Sequence, residues 1–158
     1  MGAPIADVEL GLLLPHESLP EALAGKLRLG GREVALLIQP DGEDIALPLA
    51  LAREAARSIV DVDVKAKRVA SDKLLRTYNI SWREFRRARS DGKVEDVCLP
   101  EMTPEEFMSR LTLVSLEACG ADCIVLCYSD DTLFAGHSVF VTSFDGLLFG
   151  EANAQLFG

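Results

Sequence analysis

The sequence predicts an α+β fold, an antiparallel sheet packed with central helices. Three observations predict it. Apolar and polar residues alternate with the period of a strand towards both ends of the 158-residue chain. Turn signals such as Gly30-Gly31 and Asp145-Gly146 separate the alternating stretches. Between these regions apolar residues recur every three to five positions, the stripe of an amphipathic helix. The length fits a single domain over residues 1–158.

The N-terminal part reads as strands. Val8 to Leu14 is one strand closed by Pro15, and residues 16–24 with Pro20 are a turn-like segment. Lys26-Leu27-Arg28-Leu29 alternates, Gly30-Gly31 turns the chain, and Glu33 to Ile38 returns as the second arm of a hairpin. Pro40-Asp41-Gly42 ends it.

The middle reads as helix. Pro48 suits a first helical turn. Ala52, Ala55, Ile59, Val62, Ala66, Val69, Leu74 and Tyr78 form the apolar stripe, and Asn79 stands where a cap could end it. The β-branched run Ile59-Val60-Asp61-Val62-Asp63-Val64 disfavours helix, so a break or kink is expected there. Ser81-Trp82-Arg83-Glu84 has the pattern of a capping box and predicts a short basic helix to Arg89, before Ser90-Asp91-Gly92. Thr103-Pro104-Glu105-Glu106 is a second box, with Pro104 at the first helical position and Phe107, Met108 and Leu111 facing the core.

From Leu113 the chain predicts a four-stranded antiparallel meander. Val114, Leu116 and Ala118 alternate with Ser115, Glu117 and Cys119. Gly120-Ala121-Asp122 turns into Ile124, Leu126 and Tyr128, and Asp130-Asp131 turns again into Val139 and Val141. Asp145-Gly146 leads to the last strand, through Glu151 to Leu156.

Composition narrows the function classes. The chain is 49% hydrophobic and 26% charged, which marks a folded protein. No apolar run approaches the roughly 18 residues that cross a bilayer, and the N-terminus lacks a basic leader, so a soluble cytoplasmic protein without membrane contact is expected. The net charge of −9 disfavours nucleic acid. Charge is unevenly spread. Residues 50–89 hold eleven Lys and Arg against five Asp and Glu, a local +6. Residues 1–49 hold three against eight, −5, and residues 90–158 hold two against twelve, −10. Acidic ends of this kind fit a basic protein partner. The last strand, if it is a sheet edge, would also offer pairing to a second copy.

Cofactor motifs are missing. Gly30-Gly31 lies in a hairpin and is not a phosphate loop. Cys119, Cys123 and Cys127 are spaced by four residues, unlike the Cys-x2-Cys of structural zinc, and read as buried, reduced thiols; no metal or cofactor is expected. Ser138 follows His137 directly, and neighbours in a strand point to opposite faces, so the two do not form a nucleophile and base. The Arg83, Arg86, Arg87, Arg89 run around Trp82 and Phe85 reads as a solvated helix face before it reads as a phosphate site.

The most informative segment is Asp130 to Val141. Here one of two histidines, His137, follows Gly136 after two acids. Ser81-Trp82, Thr103-x3-Phe107, Leu133-Phe134-Ala135-Gly136-His137-Ser138-Val139, Asp145-Gly146 and Gly158 together resemble a bacterial family catalogued as domain of unknown function 2262. In that family the Phe–Gly-His segment usually holds a second aromatic, where this chain has Ala135. The resemblance implies, by analogy with small proteins encoded near bacterial toxin genes, a non-catalytic protein-binding module of immunity or antitoxin type. Trp82, Phe134, Gly136 and His137 are then the candidate binding residues. The alternative is a hydrolytic or metal-assisted enzyme in which His137 acts with Asp130 and Asp131. A bland third reading makes the segment a corner of the sheet, with a Gly136 that leaves no room for a Cβ.

Overall fold

A computed structural model describes residues 2–158. Ten strands, β1 (Ile5–Asp7), β2 (Gly11–Pro15), β3 (Leu23–Leu29), β4 (Arg32–Gln39), β5 (Glu84–Ala88), β6 (Val94–Cys98), β7 (Thr112–Cys119), β8 (Cys123–Ser129), β9 (Ser138–Ser143) and β10 (Ala152–Phe157), accompany three helices. These are α1 (Ala46–Arg57), α2 (Ile59–Thr77) and α3 (Pro104–Ser109). The fold is α+β, as expected.

Eight strands form one sheet in the order β1-β2-β3-β4-β7-β8-β9-β10. Every neighbouring pair is antiparallel except β4–β7, which is parallel and joins the N-terminal strands to the C-terminal meander. Register explains why the sheet has one wet and one dry face. Leu36 pairs with Leu116, Leu116 with Leu126, Leu126 with Val141 and Val141 with Ala154. All five side chains in that row are buried, facing α1 and α2. Each such leucine contributes about 1.5–3 kcal/mol relative to an exposed one. One residue further along, Leu37, Glu117, Val125 and Thr142 form the matching row on the helix-free face.

The helices present small residues to the sheet. Val62, Ala66, Ala70, Leu74 and Tyr78 recur at intervals of four, and all are buried. The break between α1 and α2 falls at Ser58, one residue before the β-branched run. That run is itself helical, because Val62 packs in the core while Val60 stays exposed. Ser58 Oγ donates to the Glu54 carbonyl, holding the corner.

Several expectations are corrected. The strand expected over Val8–Leu14 starts only at Gly11: Val8–Leu10 is a turn from β1 into β2, folded by the Asp7 carboxylate, which accepts the Glu9 and Leu10 N–H groups. In β7 a bulge between Leu113 and Ser115 turns Val114 out to 41% exposure and buries Leu113 instead. Asn79 does not cap α2; its amide donates to the Met102 carbonyl and accepts the Met102 N–H, tying the end of α2 to the approach to α3. The Asp145-Gly146 hairpin is a wider connection with one 3₁₀ turn, in which Asp145 Oδ2 accepts the Gly150 and Glu151 N–H groups.

The largest correction concerns residues 81–89. Ser81 lies in a π-helical turn over Tyr78–Trp82 that extends α2, and the segment after it is strand β5, not helix. β5 pairs antiparallel with β6, setting Arg86 against Asp96 and Arg87 against Glu95. Both pairs form ion pairs, at 3.1 and 2.6 Å. Pairing across the Asp91-Gly92 turn overrode the capping pattern. The capping box at α3 is present as expected, with Thr103 Oγ1 accepting Glu106 N–H and Glu106 accepting Thr103 N–H.

Candidate functional site

The turn from β8 to β9 is built around Asp130. This carboxylate is only 4% exposed and accepts two backbone donors, Thr132 N–H at 3.0 Å and Phe134 N–H at 2.6 Å. Charge-assisted bonds of this kind offset the cost of burying the charge. The loop is strained around them. Asp131, Thr132 and Ala135 adopt positive φ of 48°, 67° and 53°, and Gly136 adopts 87°. A β-branched threonine in that region is an outlier, of the sort held in place only by its surroundings. Gly136 is required by its φ. Nothing lies within 4 Å of the position a Cβ would take, so the expected close backbone approach is absent.

The loop drives Phe134 into the core. Its ring sits edge-on to Tyr78 at 5.9 Å, to Phe107 at 6.1 Å and to Trp82 at 5.4 Å. Trp82 in turn meets His137 edge-on at 5.6 Å. The π turn makes this possible. It keeps Tyr78 and Trp82 on one side of the chain, both against Phe134. Three of the four candidate binding residues, Trp82, Phe134 and His137, are therefore brought together, as one aromatic cluster in which Phe134 is fully buried.

His137 Nδ1 lies 2.7 Å from the Phe134 carbonyl. A carbonyl only accepts, so Nδ1 carries the proton and in the neutral ring Nε2 is the acceptor. The ring also packs against Gly158, where a Cβ would come within 2.5 Å of Cδ2. Asp131, the second acid, pairs with Arg110 at 2.8 Å. Among the described residues no hydrogen bond or ion pair joins His137 to Asp130 or Asp131, and no three His, Cys, Asp or Glu side chains are placed to hold a metal ion. The three sequence candidates for catalysis thus each hold a separate structural contact.

Beside the cluster lies an apolar groove of about 560 Å³. Trp82, Leu133 and Ala135 line it on the loop side, and Phe85 and Leu99 on the side of the β5–β6 arm. Arg86 and Arg110 stand at its rim, each in an ion pair with Asp96 or Asp131. Phe85 is 43% exposed there. Ala135 opens onto this groove. The sequence reading did not select Leu99, Arg110 or Leu133 for a surface. The signal available was the Asp91-Gly92 hairpin turn, which sets Arg86 and Arg87 opposite Asp96 and Glu95 and marks the arm.

No helix among the described residues is long and apolar enough to cross a membrane. No curated protein and no solved structure matches the chain. The model of a family described as "Uncharacterized protein conserved in bacteria (DUF2262)" matches residues 19–145, which takes in the arm, the groove and the whole Asp130–His137 loop. The chain belongs to that family.

Proposed function

We propose that this protein is a non-catalytic protein-binding module of immunity or antitoxin type, and that its partner is a basic protein that inserts an apolar side chain between the β5–β6 arm and the Asp130–Gly136 loop. The observation that carries the reading is the groove itself: Phe85, Leu99 and Trp82 offer apolar surface with an ion-paired rim, the anatomy of a recognition patch. It is supported by the contacts of Asp130, Asp131 and His137, each of which has a side-chain polar atom engaged in a separate structural contact. The net charge of −9 favours a partner of opposite sign.

The test is capture from the native host with the wild-type protein and with Phe85→Asp, whose side chain is exposed. A basic partner that binds saturably to the wild type and at least tenfold more weakly to Phe85→Asp, with both proteins equally stable, is the expected result. Equal capture by the two proteins, or no saturable partner, overturns the reading.

A further inference from the structure

The three C-terminal cysteines are not buried in the core. Cys119, Cys123 and Cys127 are free thiols on the helix-free face of the sheet, each partly exposed. Their positions are not equivalent. Cys119 and Cys123 are direct cross-strand partners at the end of the β7–β8 hairpin, separated by the turn Gly120-Ala121-Asp122. Directly opposed residues in an antiparallel pair have Cα atoms about 4.5–5.5 Å apart, inside the roughly 4.4–6.8 Å that a disulfide spans. Cys127 is four residues along the same strand, some 13 Å away, and faces Ser115 and Phe140 across its neighbours. Cys98 belongs to the separate β5–β6 sheet. Of the four cysteines, one pair alone is in register to close.

The surroundings of that pair are acidic. Asp41, Glu117 and Asp122 act on it electrostatically, and Glu43 approaches the adjoining turn at Gly120. None of these four carboxylates takes part in an ion pair among the described residues. We infer that Cys119 and Cys123 form a cross-strand dithiol that is closed to a disulfide by small cationic disulfides. The field of the four carboxylates concentrates a cation and repels an anionic disulfide.

The chemistry balances by two exchanges. One protein thiolate attacks a sulfur of the small disulfide, forming a mixed disulfide and releasing one small thiol. The second protein thiolate attacks the protein-side sulfur of that mixed disulfide, forming Cys119–Cys123 and releasing the other small thiol. Two protein thiols lose two protons and two electrons, and one disulfide is reduced to two thiols. Burial and the neighbouring carboxylates push the Cys119 thiol up to about 11, and burial first of all raises Cys123. The thiolate is therefore scarce at neutral pH and a cationic reagent, which favours it, has a further advantage.

The site lies at the opposite end of β7 and β8 from the Asp130 loop, roughly 20 Å along the strands, so its test is independent of the groove. The experiment exposes the full protein at low salt to cystamine and, separately, to the anionic 3,3′-dithiodipropionate, followed by peptide mapping under non-reducing conditions. Cystamine is expected to give a single Cys119–Cys123 cross-link, at least fivefold faster than the anionic reagent, the ratio shrinking as salt is added. Cys119→Ser is expected to trap a stable cysteamine adduct on Cys123, and Cys127→Ser to close as the wild type does. Persistent separate adducts on Cys119 and Cys123, or a cross-link that uses Cys127, overturns the dithiol. Equal rates for the two reagents at low salt overturn the charge selection.

Discussion

Asp130 shows how much one side chain organises. Its two oxygens hold the amides of Thr132 and Phe134, and those two bonds fix a loop with four residues at positive φ. Asp130→Ala removes both acceptors and leaves the buried Phe134 N–H unpaired. It is expected to cost about 1–3 kcal/mol of unfolding free energy, read by urea denaturation. Asp131 meets Arg110 at the surface, and Asp131→Ala is expected to cost less than about 1 kcal/mol in the same measurement. A reversed order would place the anchor of the loop at the wrong acid. The sequence shows two adjacent acids before a glycine and a histidine. What separates their roles is which one turns inward, and that depends on the aromatic cluster that receives Phe134.

The β5–β6 arm is the element that local sequence misleads about most. Ser81 to Glu84 satisfies a helix-start pattern, and the arginines that follow are good helix formers. Their partners Glu95 and Asp96 lie across the Asp91-Gly92 turn and make the strand pairing instead. Both strands are largely exposed, and a two-stranded ribbon is marginal in water by itself. Its amides are therefore expected to exchange with solvent orders of magnitude faster than those of β7 and β8, in native-state hydrogen exchange. Equal protection would mean that the arm is held far more firmly than its contacts suggest. The well-read elements are those whose signals are local. The hairpin at Gly30-Gly31, the box at Thr103 and the meander needed only neighbours. The parallel seam needed a partner far along the chain, the bulge at Val114 needed the register with β8, and the arm needed its pairing across Asp91-Gly92 to outweigh a helix-start pattern.

For the molecule as a whole, the acid on the open sheet face sets a pH dependence. Glu117 pairs with Gln39 in the middle of that face, and burial raises its carboxyl above the ordinary value while the Gln39 bond partly opposes the rise. Between the unfolded and the folded value the native state binds the extra proton, so this group's contribution falls as pH rises through that window. Glu117→Gln is expected to be more stable than the wild type at pH 7, with the difference vanishing below about pH 4, where both forms are uncharged. Thermal melts of both proteins across that range measure it, and an unchanged difference would show that Glu117 is not the group responsible.

The parallel pairing of β4 with β7 carries a consequence for how the chain reaches this state. The hairpins on either side close loops of a few residues, and each can find its register alone. The seam sets Ala35 beside Ser115 and Gln39 beside Cys119, partners about 80 residues apart in the chain, an entropic cost of roughly 4 kcal/mol before any contact is made. Folding therefore divides into two fast local halves and one slow join. Until that join closes, the edges of β4 and β7 stand open, and the helices that will cover the sheet have no complete surface to lie on.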